Sequence, residues 1–593
     1  MKIQPKNKKK LLDVALGRIP ADFCIKNVQL VNVFTGEVYP AHVYLCDRFI
    51  AHVESENLDE CLIHAKQIMD GMGRYLIPGL IDAHVHIESS MMTPRNFARA
   101  VVPFGTTTVV TDPHEIANVY GKDGVVYMHD IAKNLPMRQF VDIPSCIPSV
   151  PTLEHGGAAF FADDIEELSR LERVIGLAEV MDFVAVVEGE QRMNDIIEMA
   201  ERRNLYLQGH APFVSGRMLS AYLCGGPHSC HESRGGKESL MKLRNGMFVD
   251  ARDSSIAKNV KAIVEGVKDL KFYDYLCLCT DDREADEILN HGHINDVVNH
   301  AIECGLDPIT AIRCATLNTA REIKVDNIGA IAPGYVADML LVEKLEKIIP
   351  THVFFEGQLV AKDGELVVDI AEAHDPLEDK NSMIVKPLNI EDFCIKAPIE
   401  NGKIKTHVMT YHDLLLSDTS DEMIELDVVD GKVQLHDENL KYVAVVNRHP
   451  FKDTIGLGIV KGFGTHSGAL ASTVSHDCHN LTIVYDHPEN ALLAVKELIQ
   501  SGGGMCAVLD GKILHTLALP LAGLMSLKPA EELAEDAKKM KQANEKLGLV
   551  GMDNPLLRIV TLALPVIPNV KMSDLGLIDV LNKQIIPLFE EAE

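Results

Sequence analysis

The hydrophobic and polar positions of this chain change rhythm along its length. Residues 22–56 (DFCIKNVQLVNVFTGEVYPAHVYLCDRFIAHVES) hold short β-branched runs broken by turn signals at Thr35-Gly36 and Asp47-Arg48, the texture of antiparallel strands in a small β-domain. From about residue 74, short apolar runs alternate with charged amphipathic stretches, which predicts βα units on a parallel sheet. Eight such runs follow: Leu76 to Val85, Thr106 to Thr111, Gln139 to Ile143, Val174 to Val180, Leu205 to Gly209, Pro227 to Cys230, Met247 to Ala251 and Tyr275 to Thr280. Eight units in this span fit a (β/α)8 barrel, which typically takes about 250 residues. Asp163 to Arg173 reads as one intervening helix. Two acidic residues open it, favoured by the helix dipole, and apolar positions 165, 168 and 171 recur at helical spacing. The sixth and seventh runs are the shortest and the most interrupted by polar residues.

A helix around Pro308 to Lys324 closes this region, and the strand-and-turn texture of residues 22–56 then resumes in IGAIAPGYVADMLLVEKLEKIIPTHVFFEGQLVAKDGELV. One small β-domain built from both flanks of the barrel explains the return. Asp375 to Asp392 is polar, carries Pro376 and Pro387, and reads as a linker. The remainder has its own strands at Tyr442 to Val446 and Thr482 to Val484 and a charged helix at Ala530 to Lys546. Its Ser501-Gly502-Gly503-Gly504 follows a helical stretch; a helix stop is the first reading and a ligand-contacting loop the alternative. The expected fold is therefore α/β. A TIM-type barrel spans 76–324, a composite β-domain takes 1–75 and 325–380, and a C-terminal α+β domain takes 381–593.

Charge narrows the partners. With 57 Lys and Arg against 86 Asp and Glu, the 593-residue chain has a formal charge of −29. It repels a phosphate backbone and carries no basic stripe that reverses the field, so nucleic-acid polymers are excluded while a small neutral substrate is not. The opening MKIQPKNKKKLLDVALGRIPADF places Asp13, Arg18 and Asp22 where a signal peptide needs an apolar core, which points to the cytoplasm. No run of about 18 apolar residues offers a membrane span. The 13 Cys include no CxxC pair and read as reduced thiols.

The 25 His raise the question of where they fall. In LIPGLIDAHVHIESS, His84 and His86 lie two apart at the end of an apolar run, so on a strand both imidazoles face one point, as a metal requires. Other strand ends repeat the pattern: Asp112, His114 and Glu115 after the second run, Glu179 in the fourth, His210 after the fifth, His231 and Glu232 after the sixth, and Asp281 and Asp282 after the eighth. Catalytic groups of barrels collect at that end of the strands. His291 and His293 form a second HxH, but no apolar strand precedes them, and they read as loop residues near the barrel mouth.

PGLIDAHVHIESSMM, GTTTVVTDPHEIANV, GLAEVMD, QGHAP, SCHES and CTDD, together with ASTVSHDCHN and SGGGM near the end, resemble the amidohydrolase superfamily and, within it, the bacterial metal-dependent adenine deaminases. The resemblance spans nearly the whole chain. It implies that His84, His86 and Asp281 hold one metal, that Glu179 bridges to a second, and that His210 and His231 complete the second site. Many superfamily members bridge with a carbamylated lysine on the fourth strand; this strand has no lysine, which disfavours a dihydroorotase or hydantoinase reading. The implied reaction is hydrolytic deamination of adenine at ring carbon 6 to hypoxanthine and ammonia, with a metal-activated hydroxide as nucleophile and Asp281 taking its proton. A second acid/base is needed for the ring nitrogen and the leaving amine. His114 is the first choice, with a loop-fixing role as its alternative, and Glu232 is next, competing with a role orienting His231. The donor set suits Mn²⁺, Fe²⁺ or Zn²⁺, and the resemblance tips the choice toward manganese or iron, two ions per subunit. It also implies a homo-oligomer, dimer or larger.

In the last domain His476, Asp477 and His479 are candidate substrate-binding residues that pack against the barrel mouth and shape the purine pocket. A separate metal site there lacks a fourth ligand in view. Two rivals remain. One is action on another purine, such as an N6-substituted adenine. The other is a non-catalytic protein that kept the fold, whose mark would be missing ligands.

Overall fold

Parallel strands and their connecting helices carry the centre of the molecule. The strands are β1 (Leu80–His86), β2 (Thr106–Thr111), β3 (Arg138–Ile143), β4 (Val174–Val180), β5 (Tyr206–Gly209), β6 (Ser229–Cys230), β7 (Phe248–Arg252) and β8 (Leu276–Cys279). The computed structural model describes residues 1–59, 63–412, 418–552, 554–567 and 569–590. β1 to β5 form a curled parallel sheet in chain order, and Asp281–Asp282, just past β8, pairs with the other edge of β1. β6 to β8 form a second parallel sheet. The His228 N–H donates to the Leu207 carbonyl at 3.2 Å, tying the approach of β6 to β5. Strands β1 to β4 are buried from end to end, as parallel strands covered on both faces must be.

Several boundaries differ from the sequence expectation. The run from Leu76 to Val85 is two strands, Tyr75–Pro78 and Leu80–His86. Gly79 makes the crossing: a Cβ there would lie 2.4 Å from Thr107 Oγ1, so a side chain would collide with β2. The expected helix of residues 308–324 breaks into Pro308–Cys314, capped by the Asp307 side chain, and Leu317–Glu322. That of residues 163–173 stops at Leu168. The linker is anchored: Asp375 is buried and accepts a hydrogen bond from the Tyr127 hydroxyl at 2.9 Å.

A second sheet draws strands from both sides of this region. Tyr75–Pro78 pairs parallel with Ala21–Asn32 and antiparallel with Met339–Val342, so the chain's two passages interleave in one nine-stranded sheet. The C-terminal part builds another nine-stranded sheet, largely antiparallel. The helix Pro488–Ser501 packs on it and ends at Gly502 with φ +81°, so the glycine run acts as a helix stop. Two contacts seat this part on the parallel strands. Lys541 of the helix Ala530–Leu547 pairs with Glu284 and Asp286, each at 2.8 Å. Residues 476–480 also lie over the helix His114–Tyr120. Among the described residues there is no disulfide, and no helix is long and apolar enough to cross a membrane.

Candidate metal centre

The C-terminal ends of β1, β2, β4, β5, β6 and β8 converge, and His84, His86, His114, Glu179, His210, His231, Glu232 and Asp281 meet there. Period-two alternation puts His84 and His86 on one side of β1, with ring centroids 4.6 Å apart. Their outer nitrogens are fixed. His84 Nδ1–H donates to Gln208 Oε1 at 2.8 Å, and Gln208 is itself oriented by its Nε2 donating to the Ala83 carbonyl. His86 Nδ1–H donates to the Asp112 carbonyl at 3.0 Å. With Nδ1 of each ring engaged, the two Nε2 atoms converge, 3.0 Å apart. Buried imidazole nitrogens gathered in this way, each oriented through its other nitrogen, suit a cation.

Carboxylates complete the arrangement. Asp281 Oδ1 lies 3.5 Å from His84 Nε2 and 3.2 Å from His86 Nε2. Glu179 turns Oε2 to His210 Nδ1 at 2.5 Å and His231 Nε2 at 3.1 Å, and Oε1 to His86 Nε2 at 3.6 Å. One carboxylate thus faces both groups of histidines. Asp281 adopts a left-handed backbone, φ +58°, a conformation an Asp tolerates at modest cost and one that collects at functional sites.

The local field fits ligation. Burial, with repulsion from His231 and His86, holds His84 well below its ordinary pKa, so its lone pair stays available. Burial by itself pushes Glu179 up, yet His210 and His231 outweigh it and keep the carboxylate ionised well below its usual range. Among the buried polar atoms of the cluster, His231 Nδ1 lacks a hydrogen-bond partner. Such an orphan is costly unless something binds it. The sets His84, His231 and Asp281, and Glu179, His210 and His231, each bring ligand atoms within 4.8 Å of one another. The residues present therefore fit divalent cations.

Around these donors stand groups with acid/base capacity. His114 faces Asp112 Oδ2 at 3.2 Å through Nδ1 and Asp477 Oδ1 at 3.7 Å through Nε2. Against the pull of burial, the two aspartates raise its pKa well above the ordinary value. Glu232 lies 3.9 Å from His231 but is gripped at 2.7 Å by Arg252. Although burial opposes it, Arg252 keeps Glu232 ionised. Arg252 also contacts Asp281. Sequence reading missed Arg252 and Gln208. Arg252 lies just past one of the two weakest strand readings, and Gln208, which alternation places on the side of His210, is a neutral amide with no ligand signal of its own.

The HxH at His291 and His293 is elsewhere. His291 ends the helix Ala285–His291, exposed. His293 is fully buried between Thr106 Oγ1 at 3.0 Å and Thr280 Oγ1 at 3.2 Å. It lies in the short connection before the helix Ile294–Glu303, as a loop residue, but is packed inward where Gly292 turns the chain. Of the C-terminal candidates, Asp477 approaches His114, and His479 Nε2 lies 3.8 Å from Glu115 Oε2. His476 stands 3.7 Å from Asp477.

Residues 75–367 match the amidohydrolase family and residues 418–584 the adenine deaminase C-terminal domain. Among curated relatives, adenine deaminase of Kosmotoga olearia is 36% identical over 98% of this chain and 98% of its own length. Adenine deaminase 2 of Carboxydothermus hydrogenoformans is 37% identical over 98% and 99%. Adenine deaminase of Moorella thermoacetica is 38% identical over 98% and 98%.

Proposed function

The chain belongs to the adenine deaminase family, and on that premise we propose that it hydrolyses adenine to hypoxanthine and ammonia in purine salvage, at two divalent ions held where the parallel strands end. The observation that carries the site is the convergence of His84 and His86 Nε2, 3.0 Å apart, with Asp281 and Glu179 beside them. His84, His86 and Asp281 would hold one ion, His210 and His231 the other, and Glu179 would serve both. When bound, the ions supply the positive charge that lets water act as a nucleophile near neutral pH; manganese or iron is our reading, with zinc compatible with the same donors.

The chain's own residues do the rest. Asp281, beside the attacking water, takes its proton as oxygen approaches ring carbon 6. His114, held between two aspartates, gives a proton to the adjacent ring nitrogen and serves the departing amine. Glu232, fixed by Arg252, borders the ring and accepts from its N–H edge. His476, Asp477 and His479 close the pocket from the C-terminal side.

We read the eight strands as one closed (β/α)8 barrel over residues 76–324, supported by the pairing of Asp281–Asp282 with β1 and the link from His228 to Leu207. The flank sheet takes residues 1–75 and 325–380, and the C-terminal unit 381–593. The cytoplasm and a homo-oligomeric assembly complete this reading.

Ammonia release is measured with adenine, adenosine, N6-methyladenine and guanine after loading with Mn²⁺, Fe²⁺ or Zn²⁺. Adenine is expected to turn over fastest, with two ions per subunit and loss on chelation. No turnover of adenine in the fully loaded protein overturns the reading, and faster release of methylamine from N6-methyladenine reassigns the substrate.

A further inference from the structure

The C-terminal unit places a carboxylate on the ring proposed above as the general acid/base. His114 begins the helix after β2, and its imidazole edge lies against His86, centroid to centroid 4.6 Å. Nδ1 looks to Asp112 Oδ2 at 3.2 Å and to Glu179 Oε1 at 3.6 Å, both from the parallel strands. The opposite edge has no partner from those strands among the described residues. There Asp477 Oδ1 stands 3.7 Å from Nε2. Asp477 comes from a segment pinned at several points: His476 N–H donates to the Val560 carbonyl at 3.0 Å, His479 N–H to the Ser475 carbonyl at 2.8 Å, and Asn480 Nδ2 to the His155 carbonyl at 2.9 Å. Asp477, His114 and His476 are all more than nine-tenths buried.

We propose that Asp477 is the positioning residue for His114, so that the acid/base ring of the barrel is fully oriented only when the C-terminal unit is seated. At 3.7 Å the carboxylate is too distant to hydrogen-bond Nε2. It bounds that edge of the ring as an ionic neighbour and keeps the ring from swinging away. This is the work a carboxylate does for a catalytic imidazole in other hydrolases, done here by a group more than 300 residues away in sequence. The inference rests on the acid/base reading of His114. It goes beyond it by assigning the C-terminal unit a part in turnover distinct from closing the pocket.

A double-mutant cycle tests it in the full-length, metal-loaded protein. His114→Asn is expected to lower kcat by about 10²- to 10⁴-fold. Asp477→Asn should lower kcat by about 10- to 100-fold, with KM within about twofold, two ions retained, and partial recovery in Asp477→Glu. In the His114→Asn background, Asp477→Asn should change kcat by less than about twofold, since its route of action is gone. An equal loss in both backgrounds overturns the proposal, as does full activity in Asp477→Asn alone. A third ion per subunit that disappears with Asp477→Asn also overturns it, because His114, His476 and Asp477 would then be ligands, their donor atoms lying within 4.8 Å of one another. If His114→Asn keeps parental turnover, the acid/base reading itself fails and the inference falls with it. Melting temperature and metal content, read on every variant, separate these outcomes from misfolding.

Discussion

Two buried ionic clusters sit at opposite ends of the same parallel strands. Near where β2 and β3 begin, Arg138 donates to Thr108 Oγ1 at 2.9 Å, to Asp338 Oδ2 at 2.8 Å and to Glu356 Oε1 at 3.1 Å, while Asp338 Oδ1 accepts the Glu356 N–H. Both oxygens of Asp338 are occupied, and the cluster welds the flank sheet to the parallel one. Where the strands end, the cluster is more deeply buried, and ligand-type atoms crowd together: His84 and His86 Nε2 lie 3.0 Å apart and 3.5 and 3.2 Å from Asp281 Oδ1. A cluster closed on itself by one guanidinium is thereby distinguished from one whose donors converge on a shared space. The first is stable as it stands. The second stores unfavourable contacts that a cation relieves.

The largest test of this contrast is His84→Asn. Metal content and adenine turnover should both be lost, while the metal-free variant melts no lower than the metal-free parent, since the ring removed crowds against His86 and Asp281. A large fall in metal-free stability would mean the ligand cluster is structural after all. Arg138→Met is the mirror experiment. It strands the buried carboxylate of Asp338 and should cost about 3–5 kcal/mol in chemical denaturation, with kcat per bound metal unchanged. Next in size, Gln208→Leu frees His84 Nδ1 and should weaken metal binding by about 10- to 100-fold, read by competition with a chelator. The smallest effect concerns a third kind of buried charge. Glu154 accepts from Ser149 at 2.5 Å and from the Val150 N–H at 3.2 Å, and burial pushes its pKa from 4.5 to about 7. The folded state therefore holds a proton that the unfolded state has released between those values, so stability falls as pH rises through that window. Glu154→Gln should melt like the parent near pH 4.5 and progressively above it up to about pH 7; parallel pH profiles would show that Glu154 is ionised when folded.

Much of the metal centre was legible in the chain because strand alternation is a local rule. His84 and His86 two apart, and a His or carboxylate at the ends of five further runs among the eight, already place donors at one end of the parallel strands. Boundaries were less legible. Gly79 lies in an unbroken apolar run, and only the contact with Thr107, 28 positions away, reveals that the chain changes sheets there. β6 shrinks to Ser229–Cys230, since its pairing is set by neighbours and not by its own residues. His293 read as a loop residue near the barrel mouth. It is buried against Thr106, Thr280 and Phe97, and the glycine before it decides its direction.

The amino-acid sequence by itself determined the alternation of strands and helices, the type of donor at each strand end, and the chemistry those donors favour, because each depends on residues a few positions apart. Only the tertiary structure decided which donors share a partner. Glu179 faces two sets of histidines, Arg252 holds Glu232, and Asp477 reaches His114 across more than 300 residues. Contacts of that kind depend on how separate elements pack, and side-chain spacing along the chain carries no record of them.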